Sequence, residues 1–323
     1  MKLVILDSET VVRNDDVSLD PITSLCDTTV YGFVENEKVA EAIGDADAVI
    51  CNKCLITREV FEKCKNLKFV GLFATGYNNV DLDAANDFGA VVANVPSYST
   101  DSVAQHTFAL ILDYFNKTSK YAASTARGDW INYKYFSYFY IPVYELSGKT
   151  IGIIGYGDIG KKVAGIARAF GMNVITYTRS PQKVTDGTKT VSLDRLMAVS
   201  DVITVHCPLN DGTKEMINRK TLSVCKPTAL FVNTARGGVV NEKDLADALL
   251  NGIIAHACLD VLTYEPMRKD CPFRGLENVT LTPHIAWAPI ETRRRLIEKV
   301  SENLKAYIDG EPINQVNSGG IVK

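Results

Sequence analysis

The sequence predicts an α/β chain built from two doubly wound parallel sheets. Three observations lead there: strand-like apolar runs alternate with amphipathic stretches along the chain, a glycine fingerprint opens the second series of runs, and a long helical pattern closes the chain. Before residue 100 the runs are Leu3–Leu6, Thr28–Tyr31, Ala48–Ile50, Phe69–Phe73 and Val91–Ala93, with amphipathic stretches such as Val39–Ile43 between them. Val103, Phe108, Leu110, Ile111 and Leu112 place a helix over Asp101–Phe115, with Asp101 as its cap and a course expected to bridge the two domains. The second series is Ile151–Ile154, Val174–Tyr177, Val202–Val205, Leu230–Val232, Ala255–Leu259 and Val279–Leu281. Leu296, Ile297, Val300, Leu304 and Ile308 share one face of a helix over Ile290–Ile308, which is expected to return to the first domain. The expected boundaries are therefore 1–100 with 290–323 for one domain and 101–289 for the other.

The fingerprint is Gly155-Tyr156-Gly157-Asp158-Ile159-Gly160, placed after an apolar run and before the helical pattern Val163, Ile166, Ala167, Phe170. Strand, glycine turn and helix form the context of a dinucleotide site. Gly155 allows the tight turn, Gly157 lets backbone approach a pyrophosphate, Gly160 lets helix pack on strand, and the helix start at Asp158 and Ile159 faces the phosphates. An NAD-type site wants an acid at the end of the second strand for the ribose 2′-hydroxyl, yet this chain reads Tyr177-Thr178-Arg179-Ser180. Without that carboxylate a 2′-phosphate is not repelled, and Arg179 with Ser180 can bind one. The reading admits NAD(H) and NADP(H), with a slight preference for NADP(H).

A chain of 323 residues suits two domains, and its net charge of −3 offers no broad basic surface for nucleic acid. No N-terminal signal pattern and no apolar stretch near 18 residues is seen, so a cytoplasmic protein without membrane partners is expected. The eight scattered cysteines suit a reducing compartment. Cys51-Asn52-Lys53-Cys54 has C-x-x-C spacing and Cys64 follows, but no second pair or paired histidines complete a tetrahedral site, so no metal is expected. Arg293-Arg294-Arg295 reads as a solvated helix face. Trp130–Tyr144 crowds eight aromatic side chains without periodicity, which suits a protruding dimer contact, with an intrachain packing loop as the alternative.

Arg236, Asp260 and His284 each lie past the carboxyl end of an expected strand, where open α/β sheets bind ligands. Arg236 can grip a carboxylate through two parallel N–H bonds and polarise an adjacent keto oxygen. Carbonyl reduction needs a proton at oxygen as hydride arrives at carbon, and the imidazole of His284 titrates in the useful range. Glu265 can hydrogen-bond that ring, fix its tautomer and favour its protonated form. His106 and His206 are expected nearby without acid–base duty. Asn52 and Lys53 follow the strand ending at Ile50, and their polarity suits a hydroxymethyl group better than a bulky apolar substrate.

Nearly the whole chain resembles the D-isomer-specific 2-hydroxyacid dehydrogenases. The matching motifs are Ala74–Asp81, Asn94-Val95-Pro96, Ser102-Val103-Ala104, the glycine fingerprint, His206-Cys207-Pro208-Leu209, Asn233–Gly237, Leu259-Asp260-Val261 and Pro283-His284. The resemblance implies a Rossmann cofactor domain inserted into a flavodoxin-like substrate domain, a homodimer, and Arg236, Glu265 and His284 as the catalytic trio. It also implies that Asp260 holds a nicotinamide carboxamide, that His206, Cys207, Pro208 and Thr234 border the cofactor, and that amides around Thr75 and Gly76 help bind substrate carboxylate. Tyr98–Gln105, with Gln105 where many relatives carry Glu, is similar to the glycerate dehydrogenase (hydroxypyruvate reductase) branch. The expected reaction is reversible reduction of hydroxypyruvate or glyoxylate to the D-hydroxy acid. A D-lactate-type or other 2-keto acid reductase is the alternative within the class. A nucleotide-gated corepressor-like binding protein is the alternative outside it, although such proteins carry long flanking tails that this chain lacks.

Overall fold

A computed structural model describes residues 1–317. The chain divides into two compact units, Met1–Ser99 with the segment from Trp287 onward, and Thr100–Ala286. In the first, β1 (Lys2–Ile5), β2 (Asp27–Val30), β3 (Ala48–Cys51), β4 (Phe69–Leu72) and β5 (Val91–Ala93) form a five-stranded sheet in the order β2-β1-β3-β4-β5. The helices among them are α1 (Asp20–Thr23), α2 (Val39–Ile43), α3 (Arg58–Lys63) and α4 (Leu82–Asp87). Successive strand residues serve opposite faces: Leu3 and Ile5 join one buried apolar cluster and Val4 and Leu6 the other, as the pleat requires.

The second unit holds α5 (Thr100–Asn116), α6 (Thr118–Ala126), β6 (Thr150–Ile154), α7 (Asp158–Ala169), β7 (Asn173–Tyr177), β8 (Lys189–Thr190), α8 (Leu193–Val199), β9 (Val202–Val205), α9 (Arg219–Leu222), β10 (Leu230–Asn233), α10 (Glu242–Leu250), β11 (His256–Leu259) and β12 (Val279–Leu281). Its seven strands run in the order β12-β11-β10-β9-β6-β7-β8, with every ladder parallel. The order reverses at β6, which lies between β7 and β9. The last helix, α11 (Ile290–Ile308), belongs to the first unit, where Leu296, Ile297, Val300 and Leu304 complete one apolar cluster.

Two expectations are corrected. Helix α5 begins at Thr100, so Asp101 is not its cap; Asp101 lies in the first turn, 2.8 Å from the Lys162 ammonium. The helix falls within the second unit. The arginine triplet is not one solvated face: only Arg294 is exposed, while Arg293 meets the Asp16 carboxylate at 2.6 Å and Arg295 donates to the Tyr98 carbonyl at 2.8 Å. The Arg293 guanidinium holds the Asp16 carboxyl low, at about 2.

Candidate functional site

Parallel register sets the site. Tyr177 pairs with Ile154, Ile154 with Val205, Val205 with Asn233, Asn233 with Leu259 and Leu259 with Leu281. The residues that follow these strand ends, Thr178, Gly155, His206, Thr234, Asp260 and Thr282, therefore stand in one row along the carboxyl edge of the sheet. Five strand spacings make that row about 24 Å long.

The glycine turn sits one strand in from the β7 end of the row. Gly155 has φ +94°, and a Cβ there would come within 2.7 Å of the His206 carbonyl carbon and the Cys207 nitrogen. A Cβ on Gly160 would collide with the Gly155 oxygen, so strand end and helix start touch through these two residues. Gly157, the residue before α7, has nothing within 4 Å of its Cβ position. Contact on either side of open space at a helix start fits a pyrophosphate, with Asp158 and Ile159 opening the helix. The buried Tyr156 donates its hydroxyl to the exposed Asp186 at 2.6 Å.

At the β7 end, Arg179 is exposed and the Thr178 hydroxyl accepts from the Ser180 amide at 3.2 Å. Burial raises the Cys207 thiol to about 11. Pro208 is exposed. Thr234 is buried, and its hydroxyl meets that of Thr107 on α5 at 3.1 Å. The His206 ring bonds the Thr204 hydroxyl through Nε2 at 2.9 Å, and burial pulls it down to about 3. The ring is therefore neutral in the fold. Because the unfolded chain protonates it near 6.5, the stability it confers is full above that pH and is lost as pH falls toward 3. Lowering pH from 7 to 5 is expected to cost about 2 kcal/mol of unfolding free energy through His206 alone. Denaturant melts at both pH values check this, and a loss that His206→Gln does not reduce would contradict it.

At the β12 end, the buried Asp260 carboxylate organises the turn that carries His284. Oδ1 accepts from the Thr282 hydroxyl at 2.5 Å and the Ile285 amide at 2.9 Å, and Oδ2 from the Ala286 amide at 2.9 Å. His106 Nε2 lies 3.0 Å from the Thr282 hydroxyl and 3.4 Å from Oδ1. Burial opposes the charge of Asp260, but His106, Thr282 and the two amides outweigh it and hold the carboxyl below its ordinary range. His284 itself has φ +55°, a left-handed conformation that costs a non-glycine residue about 1–3 kcal/mol and persists where surroundings impose it. Its amide donates to the Asp260 carbonyl at 2.8 Å. His284 Nδ1 is 2.7 Å from Glu265 Oε2, and Glu265 Oε1 accepts from the Leu262 amide at 2.9 Å.

Arg236 follows β10 in a loop braced by Asn233, whose side chain accepts from the Ala235 amide at 3.0 Å and donates to the Arg236 carbonyl at 2.9 Å. The Arg236 side chain is exposed and donates to the Ala235 carbonyl at 2.7 Å.

In the first unit, the Thr75-Gly76 loop follows β4. The Thr75 hydroxyl donates to the Val95 carbonyl at 2.7 Å, and the amides of Thr75 and Gly76 meet no acceptor among the described residues. The expectation that Asn52 presents its amide to a substrate is corrected. Asn52 is 6% exposed, its side chain donates to the Thr10 hydroxyl at 3.1 Å, and its backbone amide donates to Asp7 at 2.8 Å. Asp7 also gathers the amides of Lys53 and Cys54, at 2.7 and 3.2 Å, and thereby turns the loop inward. Lys53 keeps an exposed side chain. Cys51, Cys54 and Cys64 are buried thiols, that of Cys54 raised to about 12 by burial, and no group of metal-ligating side chains occurs among the described residues. None of the described helices is long and apolar enough to cross a membrane.

Sequence reasoning missed Asp7, Thr282 and the bracing role of Asn233. Asp7 follows the run Leu3–Leu6, so the strand-end rule that singled out Asp260 would have found it.

Comparison with known proteins finds that residues 108–286 match the family described as D-isomer specific 2-hydroxyacid dehydrogenase, NAD binding domain. The chain is 40% identical to a hydroxypyruvate reductase of Blautia hydrogenotrophica, over 98% of this chain and 100% of that one. It is 37% identical to a glycerate dehydrogenase of Methylorubrum extorquens, over 87% and 89% of the two chains. Among solved structures, an acyclic imino acid reductase in complex with NADPH and D-Arg superposes with a TM-score of 0.87 at 33% identity, covering 98% of this chain and 100% of the other.

Proposed function

The chain belongs to the D-isomer-specific 2-hydroxyacid dehydrogenase family, and on that premise we propose that it reduces hydroxypyruvate, with glyoxylate as a smaller substrate, to the D-2-hydroxy acid. The observation that carries this reading is the row along the second sheet, with the glycine turn toward its β7 end and the His284–Glu265 pair at the β12 end. A nicotinamide cofactor, when bound, supplies or takes up the hydride. The remaining work falls to side chains. Arg236 holds the carboxylate of the keto acid and draws electron density toward the carbonyl oxygen. His284, with Nδ1 committed to Glu265, delivers a proton from Nε2 to that oxygen and recovers it in the reverse direction. Asp260 borders the nicotinamide end, while His206, Cys207, Pro208 and Thr234 border the middle. For the first unit we propose Lys53 and the amides of Thr75 and Gly76 as carboxylate and hydroxymethyl contacts.

The absence of an acid after β7, with Arg179 and Ser180 in its place, supports use of either cofactor with a preference for NADPH. The NADPH complex of the imino acid reductase accords with it. Arg179→Ala is expected to weaken NADPH by about 1–3 kcal/mol, the scale of a lost charged hydrogen bond, and NADH far less. Equal losses would remove Arg179 from cofactor choice. A panel of keto acids with NADH and NADPH tests the substrate. Hydroxypyruvate should exceed pyruvate in kcat/KM; a win for phenylpyruvate or 2-ketoisocaproate overturns the substrate and leaves the family intact. Bound cofactor with no turnover on any keto acid would instead point to a binding protein. We further propose a homodimer in the cytoplasm, with the exposed aromatic stretch, including Phe136 at 91% exposure, covered by the second copy.

A further inference from the structure

Glu242, the first residue of α10, sends its carboxylate away from its own helix. The residue before it, Asn241, caps α10 by accepting from the Asp244 amide. Glu242 Oε1 instead accepts from the backbone amide of Thr263 at 2.6 Å, 21 residues along the chain. Thr263 lies in the short turn in which the Leu262 amide bonds Glu265 Oε1, and the other oxygen of Glu265 reaches His284. The same turn touches the Arg236 loop: a Cβ on Gly237 would overlap the Leu262 carbonyl carbon and the Thr263 nitrogen. The turn is otherwise largely exposed, since Thr263, Tyr264, Glu265, Pro266 and Met267 all face solvent. An exposed loop has little apolar burial to fix it, so a charged acceptor on a helix start sets where it lies.

We propose that Glu242 is a positioning residue that clamps the Leu262–Glu265 turn against Gly237, so that Glu265 is held in reach of His284 at a fixed distance from Arg236. This rests on the reading of Glu265 and His284 given above. Glu242 touches neither substrate nor proton; it acts through Glu265.

The test is the pH profile of kcat/KM for glyoxylate reduction in purified enzyme. Glu242→Ala should move the pH at which reduction efficiency halves downward, in the direction of Glu265→Gln but by less, and should lower kcat by roughly tenfold, the scale of one charge-assisted hydrogen bond. Glu242→Gln keeps an acceptor oxygen and should restore the profile. Glu242→Asp keeps the charge but falls one methylene short, so it should behave as Ala does, and it serves if Ala fails to fold. In a Glu265→Gln background, Glu242→Ala should shift the profile no further. A profile unmoved in both Ala and Asp, or a full additional shift in the double variant, overturns the clamp. If Glu265→Gln and His284→Ala themselves leave turnover intact, the catalytic reading fails instead, so the two failures are distinguishable.

Discussion

Arg236→Ala is expected to cost on the order of 10²- to 10⁴-fold in kcat/KM, the sum of two lost charge-assisted hydrogen bonds at roughly 1.5–3 kcal/mol each. Both constants should change. The carboxylate grip acts in ground and transition states alike and sets KM, whereas polarisation of the carbonyl grows as negative charge develops on oxygen and sets kcat. Arg236→Lys should recover part of the grip and little of kcat, because an ammonium is a point charge without the planar fork. The fold should tolerate both changes, since the Asn233 brace holds the loop through backbone groups and, among the described residues, the arginine side chain hydrogen-bonds only the Ala235 carbonyl. Steady-state kinetics on glyoxylate and hydroxypyruvate, with melting curves alongside, decide the matter. Near-normal constants would remove Arg236 from the mechanism.

His284→Ala should lower turnover by roughly 10²- to 10⁴-fold in both directions, the usual worth of a positioned acid–base group. The two directions should also respond oppositely to pH in the unaltered enzyme. Reduction needs the protonated ring and fades as pH rises, while oxidation needs the neutral ring and fades as pH falls. Glu265→Gln exchanges a carboxylate 2.7 Å from Nδ1 for a neutral amide and withdraws support from the protonated ring. Its reduction profile should therefore turn over at lower pH. An identical profile in wild type and Glu265→Gln would break the pair.

The parts of this molecule that were legible in the sequence share a cause. An apolar run of four or five residues marks a buried parallel strand, and a polar residue after it must emerge at the carboxyl edge, so Gly155, Asp260 and His284 could be placed before their neighbours were known. Strand β8 was not foreseen because Lys189 and Thr190 carry no apolar signal; they pair with Ile175 and Thr176 at the sheet's margin. Asn52 shows where the strand-end rule misleads. It too follows a strand, but the buried carboxylate of Asp7 collects three consecutive amides and folds the loop inward, an arrangement set by a residue 45 positions earlier. Likewise, helical periodicity gave the axis of α11 but not the fate of Arg293, whose partner Asp16 lies 277 positions away. The clamp by Glu242 was hidden for the same reason: side-chain to backbone bonds across loops leave no periodic trace.

The apolar cluster that closes the first unit is completed by Leu296, Ile297, Val300 and Leu304, while its sheet ends at Ala93. On a ribosome, where the chain emerges at about 5–20 residues per second, roughly 10–40 s separate the emergence of Ser99 from that of Trp287. Throughout that interval Leu3, Ile5, Ile50 and Phe69 have lost none of their affinity for one another but lack the helix that covers them. The amino-terminal unit therefore waits through that interval with an uncovered apolar face that invites chaperones. Nascent chains stalled before residue 290 should be held by them.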